Sequence, residues 1–495
     1  MFVMKSFQSS LILFLLLTIT FIINENNVDA NPMHKELRKV TPQMFGGMVD
    51  DMHDDTDAIR KASKYLNSIG GGTLYFPKGE YLVSDFSVYA NGVGYGAVDI
   101  YSNITYLGEK GTVIKVGDNA GKKGVWQGVF IGRYKENTTN IVFKKIEFDL
   151  NGSNNYFPIE LYHKTKETYC CSAIRTCYPK NIIIEECVFR NCPGLNCLAL
   201  GYAEGAIVKN NEFNNNADAI VGNKVYDHSC ILVAGGNVQV ISNTFDEYRL
   251  STVATAIEIN ADNSVVANNY AHHYKVACLI SPVGETSVRN VTVTKNKFED
   301  NQVAVQVWSQ PNRVVKGVRI IQNNIMGLTG YSLGRYAIDL RTYAQEEICD
   351  VIIKDNSITL DKTADEGYYG AILLGAGNRN VSIVKNTIRG FTGDAVAIIG
   401  KVNQVRIEYN SIVDCSKSLN ATANRVVLIN SEQDKVRDVH IKGNKMTNGE
   451  KENNKAIWVL NNCEEIVIDG NKINGFKEIY KIDNGLMQTK KVTIK

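Results

Sequence analysis

Apolar and polar positions in this chain alternate in short runs, and one phrase returns from residue 180 onward: alternating apolar positions, two polar residues, an Asn, any residue, then an apolar one. It reads Ile207-Val208-Lys209-Asn210-Asn211-Glu212-Phe213, then Val238-Gln239-Val240-Ile241-Ser242-Asn243-Thr244-Phe245, then Val291-Thr292-Val293-Thr294-Lys295-Asn296-Lys297-Phe298. It continues through Asn323, Asn356, Asn386, Asn410, Asn444 and Asn471, and the chain closes on Val492-Thr493-Ile494. Successive Asn positions lie about 24 to 34 residues apart, the period of a solenoid. Each unit is too short to bury its apolar face alone, and its period-two strands leave no room for a helix between them. The pattern therefore predicts an all-β, parallel β-helix of about a dozen coils. The recurring Asn fits, because its amide can bond the same position one coil up and down. Only eight prolines in the chain agree with this, since Pro removes a ladder donor.

A second strand is expected after each Asn turn: Ala256-Ile257-Glu258-Ile259-Asn260, Val303-Ala304-Val305-Gln306-Val307-Trp308 and Tyr336-Ala337-Ile338-Asp339-Leu340-Arg341. Its buried residues alternate with outward ones that line the face of a sheet. Val492-Thr493-Ile494 reads as a last strand, whose open edge calls for cover by a partner chain or a folded-back segment.

Composition narrows the field. The 495 residues carry 54 Lys+Arg against 52 Asp+Glu, so 54 − 52 = +2, and 44% are hydrophobic. Disordered, collagen-like and strongly basic nucleic-acid-binding chains are excluded. Lys5, the apolar run Leu11 to Ile23 and Val28-Asp29-Ala30 read as a signal peptide over residues 1–30, which predicts a secreted protein, extracellular or periplasmic, with no membrane span after cleavage. Six of the eleven cysteines crowd between Cys170 and Cys197. In so long a chain, stacked interior thiols are favoured over a disulfide framework, and no paired CxxC spacing signals zinc.

The start of the mature chain contains Val40-Thr41-Pro42-Gln43-Met44-Phe45-Gly46-Gly47, the acidic run Asp54-Asp55-Thr56-Asp57, and Gly71-Gly72-Thr73-Leu74-Tyr75-Phe76-Pro77-Lys78-Gly79-Glu80-Tyr81. These segments resemble the opening of the pectate-lyase-like superfamily of right-handed parallel β-helix proteins. The resemblance implies a capping helix at roughly Asp57 to Asn67, with Asp55 or Thr56 as its N-cap, within a lead-in over residues 31–70. The β-helix then takes residues 71–495. It also implies a groove over the sheet that follows the Asn turn. For the reaction it is not specific, because the superfamily includes lyases, hydrolases, epimerases and phage tailspikes.

Loop length points to the site. From each Asn to the outward residue of the next groove strand the chain takes 10 residues at Asn296 to Gln306 but 21 at Asn211 to Leu232. Long insertions on a rigid scaffold carry function. This one holds Lys224, Tyr226 and His228, and a second cluster, His272, His273 and Lys275, follows two coils later. Arg249, Glu258 and Asn260 lie between them. Lys, Tyr, His and Arg within a few coils suit β-elimination on a uronate polymer, in which a base takes the proton beside the carboxyl group, a cation neutralises the carboxylate and an acid protonates the leaving oxygen. Tyr226 or His228 would serve as base and acid, and His272 and His273 form the rival catalytic pair. Lys224, Lys275 or Arg249 would neutralise charge. Trp308, Asp339, Arg341 and Tyr343 suit a neighbouring sugar subsite, although Asp339 and Arg341 also read as a plain surface ion pair.

The partner expected is an acidic polysaccharide or oligosaccharide, and the function a secreted polysaccharide lyase. A glycoside hydrolase, a uronan epimerase and a non-catalytic glycan-binding solenoid remain the alternatives. Hydrolysis needs two carboxyl groups about 5 to 9.5 Å apart, and the Gly-His-Gly and Arg-Ile-Lys signatures of polygalacturonase-type hydrolases are absent. No cofactor is assigned. Calcium stays open as an alternative; its chemistry would require several carboxylates converging on one ion, and the sequence offers no convincing cluster.

Overall fold

The computed structural model describes residues 38–495 apart from 91–93, 121–125, 135, 156–170, 217–227, 249–253, 285, 329–334, 343–346, 361–367, 417–424, 432–433, 450–454, 461, 484–485 and 487–490. From Val40 onward the chain is a parallel β-solenoid of about 12 turns. Each coil holds three strands rather than two. Around Asn269, Ala254–Asp262 is followed by Val265–Ala267, the Asn corner, and then Tyr270–His272. First and second strands merge into a 33-stranded sheet, and the third strands form one of 14 strands. The alternating pattern hides the third strand because only its middle residue is apolar: Phe213, Phe245 or Phe298, with polar neighbours. The strand with the outward residues thus begins after a second corner, not directly after the Asn.

The Asn corners form one continuous ladder. Asn211 donates its backbone N–H and Nδ2 to Oδ1 of Asn243, at 3.0 and 2.9 Å, and the same double contact runs on through Asn269, Asn296, Asn323, Asn356, Asn386, Asn410 and Asn444 to Asn471. Each Nδ2 also donates to a backbone carbonyl of the preceding coil, as Asn323 does to Val293 at 2.9 Å. The ladder starts where Cys187 replaces the Asn and offers only its N–H, 2.9 Å from Asn211 Oδ1. The residue before each ladder Asn adopts left-handed backbone: φ is 55° at Ser242, 54° at Lys295 and 56° at Gln322, with Gly at 443 and 470. Inside the third-strand corner, Phe148, Phe189, Phe213 and Phe245 stack coil on coil with centroids 4.7 to 5.2 Å apart.

The expected cap is present. Helix α1 (Thr56–Ser68) buries Ile59, Ala62 and Leu66 fully against the first coils. Asp55 is its N-cap, yet its carboxylate accepts from the N–H of Met48 and of Leu82 instead, tying the segment ahead of the helix to the strand Gly79–Val83. Asp54 meets the helix by accepting from the Thr56 N–H at 3.0 Å. The described cysteines are buried except for Cys177, as an interior-thiol reading requires. At the far end Leu486, in the connection before Val492–Ile494, folds back into the core, while Ile479 and Ile494 remain exposed.

A mid-ladder substitution tests this account. Asn323→Ala would take the Asn323 partner from the Asn296 backbone N–H and from the Val293 carbonyl in the interior, while Asn296 Nδ2 keeps the Val266 carbonyl, at about 1–3 kcal/mol for each unsatisfied group. Denaturant or thermal unfolding should show a loss of at least about 2 kcal/mol, against less than about 0.5 for Asn324→Ala at the exposed neighbour.

Candidate functional site

Six successive first strands carry the residues of interest: β1 (Asn196–Glu204), β2 (His228–Gly236), β3 (Ala254–Asp262), β4 (Val276–Ile280), β5 (Val303–Ser309) and β6 (Arg335–Thr342). Their parallel register aligns Leu232, Glu258, Leu279, Gln306 and Asp339 in one outward column, and extends it through Leu373, Ala397 and Leu428 to Trp458 and Lys481. Glu258 and Asp339 are three coils apart, about 14 Å at 4.7–4.9 Å per strand. They are not a hydrolytic pair.

Glu258 is partly open. Its Oε2 accepts from Ser229 Oγ at 2.6 Å and its Oε1 from Asn260 Nδ2 at 3.4 Å. Asn260 is buried and ties β3 to the next coil through the Ser281 carbonyl at 2.6 Å. Beside them lies an open cleft of about 410 Å³ lined by Tyr202, Asn260, Asp262, Ser287 and Arg289. Tyr202 continues an outer aromatic run, with Tyr134 and Tyr178 meeting edge to face at 5.7 Å and Tyr178 stacking on Tyr202 at 4.8 Å.

Of the two expected acid/base clusters, the structure divides the first. Lys224 and Tyr226 lie outside the described residues, as do Arg249 and Tyr343. His228, proposed with them as base or acid, is fully buried and so does not face the groove. Strand alternation fails where the corner enters β2: His228, Ser229, Cys230 and Ile231 are all enclosed, and outward alternation resumes only at Leu232. The His228 Nδ1 sits 2.7 Å from the Gly194 carbonyl and Nε2 3.8 Å from Cys230 Sγ. Burial works against charge on either group, yet the Cys230 sulfur raises the proton affinity of the imidazole, and contacts with Cys197 and the imidazole lower that of the thiol.

The second cluster is assembled at the surface. His272 and His273 stack with ring centroids 3.6 Å apart at the corner after the third strand. His272 Nδ1 is 2.9 Å from Asp246 Oδ1, and His273 Nδ1 is 3.0 Å from the Glu247 carbonyl. Lys275, just before β4, is exposed. Farther along, Trp308 pairs in register with Arg341, and Arg341 Nε donates to Asp339 Oδ1 at 2.7 Å. Asp339 is itself buried, and burial raises its pKa against the pull of Arg341.

One cluster escaped the sequence reading. Tyr336 and Tyr368 roof the apolar part of the column over Leu373, Ala397 and Leu428, and both hydroxyls meet the buried carboxylate of Asp394. Burial pushes Asp394 up to about 6, against the pull of Arg425, whose Nε lies 3.0 Å away. Arg425, Lys455 and Lys481 then surround the Trp458 ring at 5.7, 5.1 and 4.3 Å from its centroid. Burial and the neighbouring Lys481 hold the Lys455 ammonium below its ordinary value. Apart from Lys455 and Trp458, which share a strand, these groups come from separate coils, so no local spacing announces the cluster. The one available signal was the outward column, which continues from Asp339 to Trp458.

No family model matches the chain. Segments of curated proteins of Azotobacter vinelandii do. The mannuronan C5-epimerase AlgE3 is 35% identical over 112 residues, 22% of this chain and 6% of that protein. The mannuronan C5-epimerase AlgE4 is 33% identical over 110 residues, 22% of this chain and 19% of that protein. Alginate lyase 7 is 41% identical over 81 residues, 16% of this chain and 9% of that protein. The matched part is thus less than a fifth of each relative's length. Among solved structures, a tailspike protein of E. coli bacteriophage HK620 in complex with a pentasaccharide aligns at TM-score 0.69 and 14% identity, over 93% of this chain and 81% of that one. An exopolygalacturonase from Thermotoga maritima aligns at TM-score 0.52 and 14% identity, over 82% and 91%. The fold is the right-handed parallel β-helix of these neighbours.

The Asp394 cluster has a pH signature. A free aspartate releases its proton near 4, whereas folded Asp394 holds it to about 6. Protonation therefore favours the fold, and that contribution is complete below about pH 4 and lost as pH rises through about 6. The melting temperature of the wild type relative to Asp394→Asn should fall over that window and level off above it. A difference that stays flat with pH would rule the raised pKa out.

Proposed function

We propose that the protein acts on an acidic, uronate-containing polysaccharide laid along the first-strand face, cleaving it by β-elimination. The observation that carries this reading is the crowding of Arg425, Lys455 and Lys481 around Trp458. Three cations around one indole repel one another, and an anionic sugar stacked on the ring relieves that repulsion while burying its apolar face. From Glu258 to Trp458 the column crosses seven coil steps, about 34 Å by strand spacing. An extended polymer, not a single sugar, meets both ends. The stacked Tyr134, Tyr178 and Tyr202 beside the cleft add ring surface of the kind that sugars use.

Chemistry is assigned to the end of the column nearest the long insertion. Tyr226 is the proposed proton-transfer group there and Lys224 the neutralising cation, with Glu258 and Arg289 holding the sugar at the cleft. His272 and His273 are the rival pair, and His228, being interior, is left out of the step. Removing the proton beside a uronate carboxyl group also opens epimerisation, in which the carbon is reprotonated from the other side. That second reading is favoured by the matched segments of the mannuronan C5-epimerases. Secretion, with residues 1–30 as signal peptide, belongs to the same proposal.

Polyuronates and neutral glucans offered to the purified protein separate these readings. Ultraviolet absorbance of an unsaturated uronate reports elimination, and a change in uronate stereochemistry without chain cleavage reports epimerisation. Tyr226→Phe should lower turnover by at least about a hundredfold, and Trp458→Ala and Lys481→Ala should weaken polyuronate binding while leaving neutral glucans unaffected. Full activity in Tyr226→Phe with loss in His272→Ala would move the chemistry to the rival pair. Equal binding of neutral and acidic polymers would overturn the acidic-substrate reading.

A further inference from the structure

The sulfur and imidazole groups inside β1 and β2 do more than fill space. Cys197 Sγ, His228 Nε2 or Nδ1 and Cys230 Sγ bring one donor atom each to within 4.8 Å of one another, all three side chains being fully enclosed. Cys197 and Cys230 occupy the same position on adjacent strands, next to the paired Leu198 and Ile231. Cys192, in the connection before β1, is the enclosed thiol beside Cys197 and the candidate for a fourth donor. A tetrahedral zinc ion with bonds of about 2.3 Å to sulfur and 2.0–2.1 Å to nitrogen requires donors about 3.6 to 3.8 Å apart. The 3.8 Å from His228 Nε2 to Cys230 Sγ already meets that requirement.

Two further features point to a ligand. The hydrogen bond from His228 Nδ1 to the Gly194 carbonyl, 2.7 Å, fixes the tautomer that leaves the Nε2 lone pair aimed at the sulfurs. Tyr274 Oη lies 3.3 Å from Cys230 Sγ and donates its proton to Glu247 Oε1 at 2.8 Å, which fixes the ring beside the sulfur. Packing does not explain the thiols. On the coils that follow, the position of Cys197 and Cys230 is taken by Ala256, Ala277, Ala304, Ala337, Ala371 and Ala395. A methyl group suffices there, and sulfur appears on the two coils that adjoin the imidazole.

We propose that Cys192, Cys197, Cys230 and His228 form a structural site for a zinc-class d¹⁰ cation inside the solenoid, distinct from the polysaccharide face. Binding releases the thiol protons to solvent and leaves His228 neutral, so no redox partner is needed. The four ligands close the coordination sphere and leave no position for a catalytic water. The ion clamps the Cys192 corner to the two strands beyond it, a role independent of the proposed substrate chemistry.

Elemental analysis of the purified full chain, after dialysis against metal-free buffer, should find about one zinc per protein. Replacement by Co²⁺ should give sulfur-to-cobalt charge-transfer absorption together with the visible bands of a tetrahedral ion. His228→Asn and Cys230→Ser should each weaken binding by at least about a hundredfold, whereas Cys177→Ser, outside the cluster, should keep it unchanged. Wild-type protein that folds without metal and gives no sulfur-to-cobalt band would overturn the site, whether mass analysis after alkylation then finds free thiols or a Cys192–Cys197 disulfide. Zinc retained in full by folded His228→Asn and Cys230→Ser proteins would overturn it equally. Since the cobalt spectrum is read on the wild type, failure of a variant to fold does not blunt the test.

Discussion

A buried amide at one corner of every coil from Asn211 to Asn471 sets what the rest of that array can do. Each ladder Asn spends its side chain on the coil on either side, so the corner cannot slip by a residue without stranding several donors in the interior. Register fixed at that corner is inherited by every other column. Phe213 and Phe245 stack because their strands have no freedom to shift, and Glu258, Gln306 and Asp339 share one line for the same reason. Chemistry on this scaffold therefore comes in steps of one strand spacing. Groups that must act together sit on neighbouring coils or reach one another through the corner loops.

What could be read from the sequence follows the same division. The ladder was legible because an Asn recurs with alternating apolar neighbours, and helix α1 because its acidic start and apolar face are local. The third strand was not, since a lone Phe between polar residues carries no period. Outward residues such as Glu258, Gln306 and Trp308 were legible from alternation within one strand. His228 was not, because alternation breaks where the chain turns into β2. Nor was the Tyr336, Tyr368, Asp394 and Arg425 cluster, whose hydrogen-bonded pairs are 26 to 58 residues apart and meet only when coils stack.

The contrast between fold and site is physical as well. The comparisons agree over nearly the whole length of the solenoid while identity stays near 14%, because a ladder, an aromatic stack and alternating apolar positions tolerate many sequences. The face above the first strands is under no such averaging. Its Glu258 cleft, its tyrosine roof and its cation-ringed Trp458 rest on individual side chains, which likeness of fold does not carry over.

The left-handed residue before each ladder Asn carries a consequence for how the solenoid grows. For a residue with a Cβ that conformation costs roughly 1–2 kcal/mol, and Ser242, Lys295 and Gln322 all adopt it. A coil closing alone bears this cost with no neighbouring amide to offset it, so new coils form only upon coils already in place. The molecule is then an array with growing fronts rather than a set of independent units. Loss of structure should likewise start at the ends and proceed inward. At 443 and 470 glycine occupies the left-handed position, which lowers that cost on those two coils.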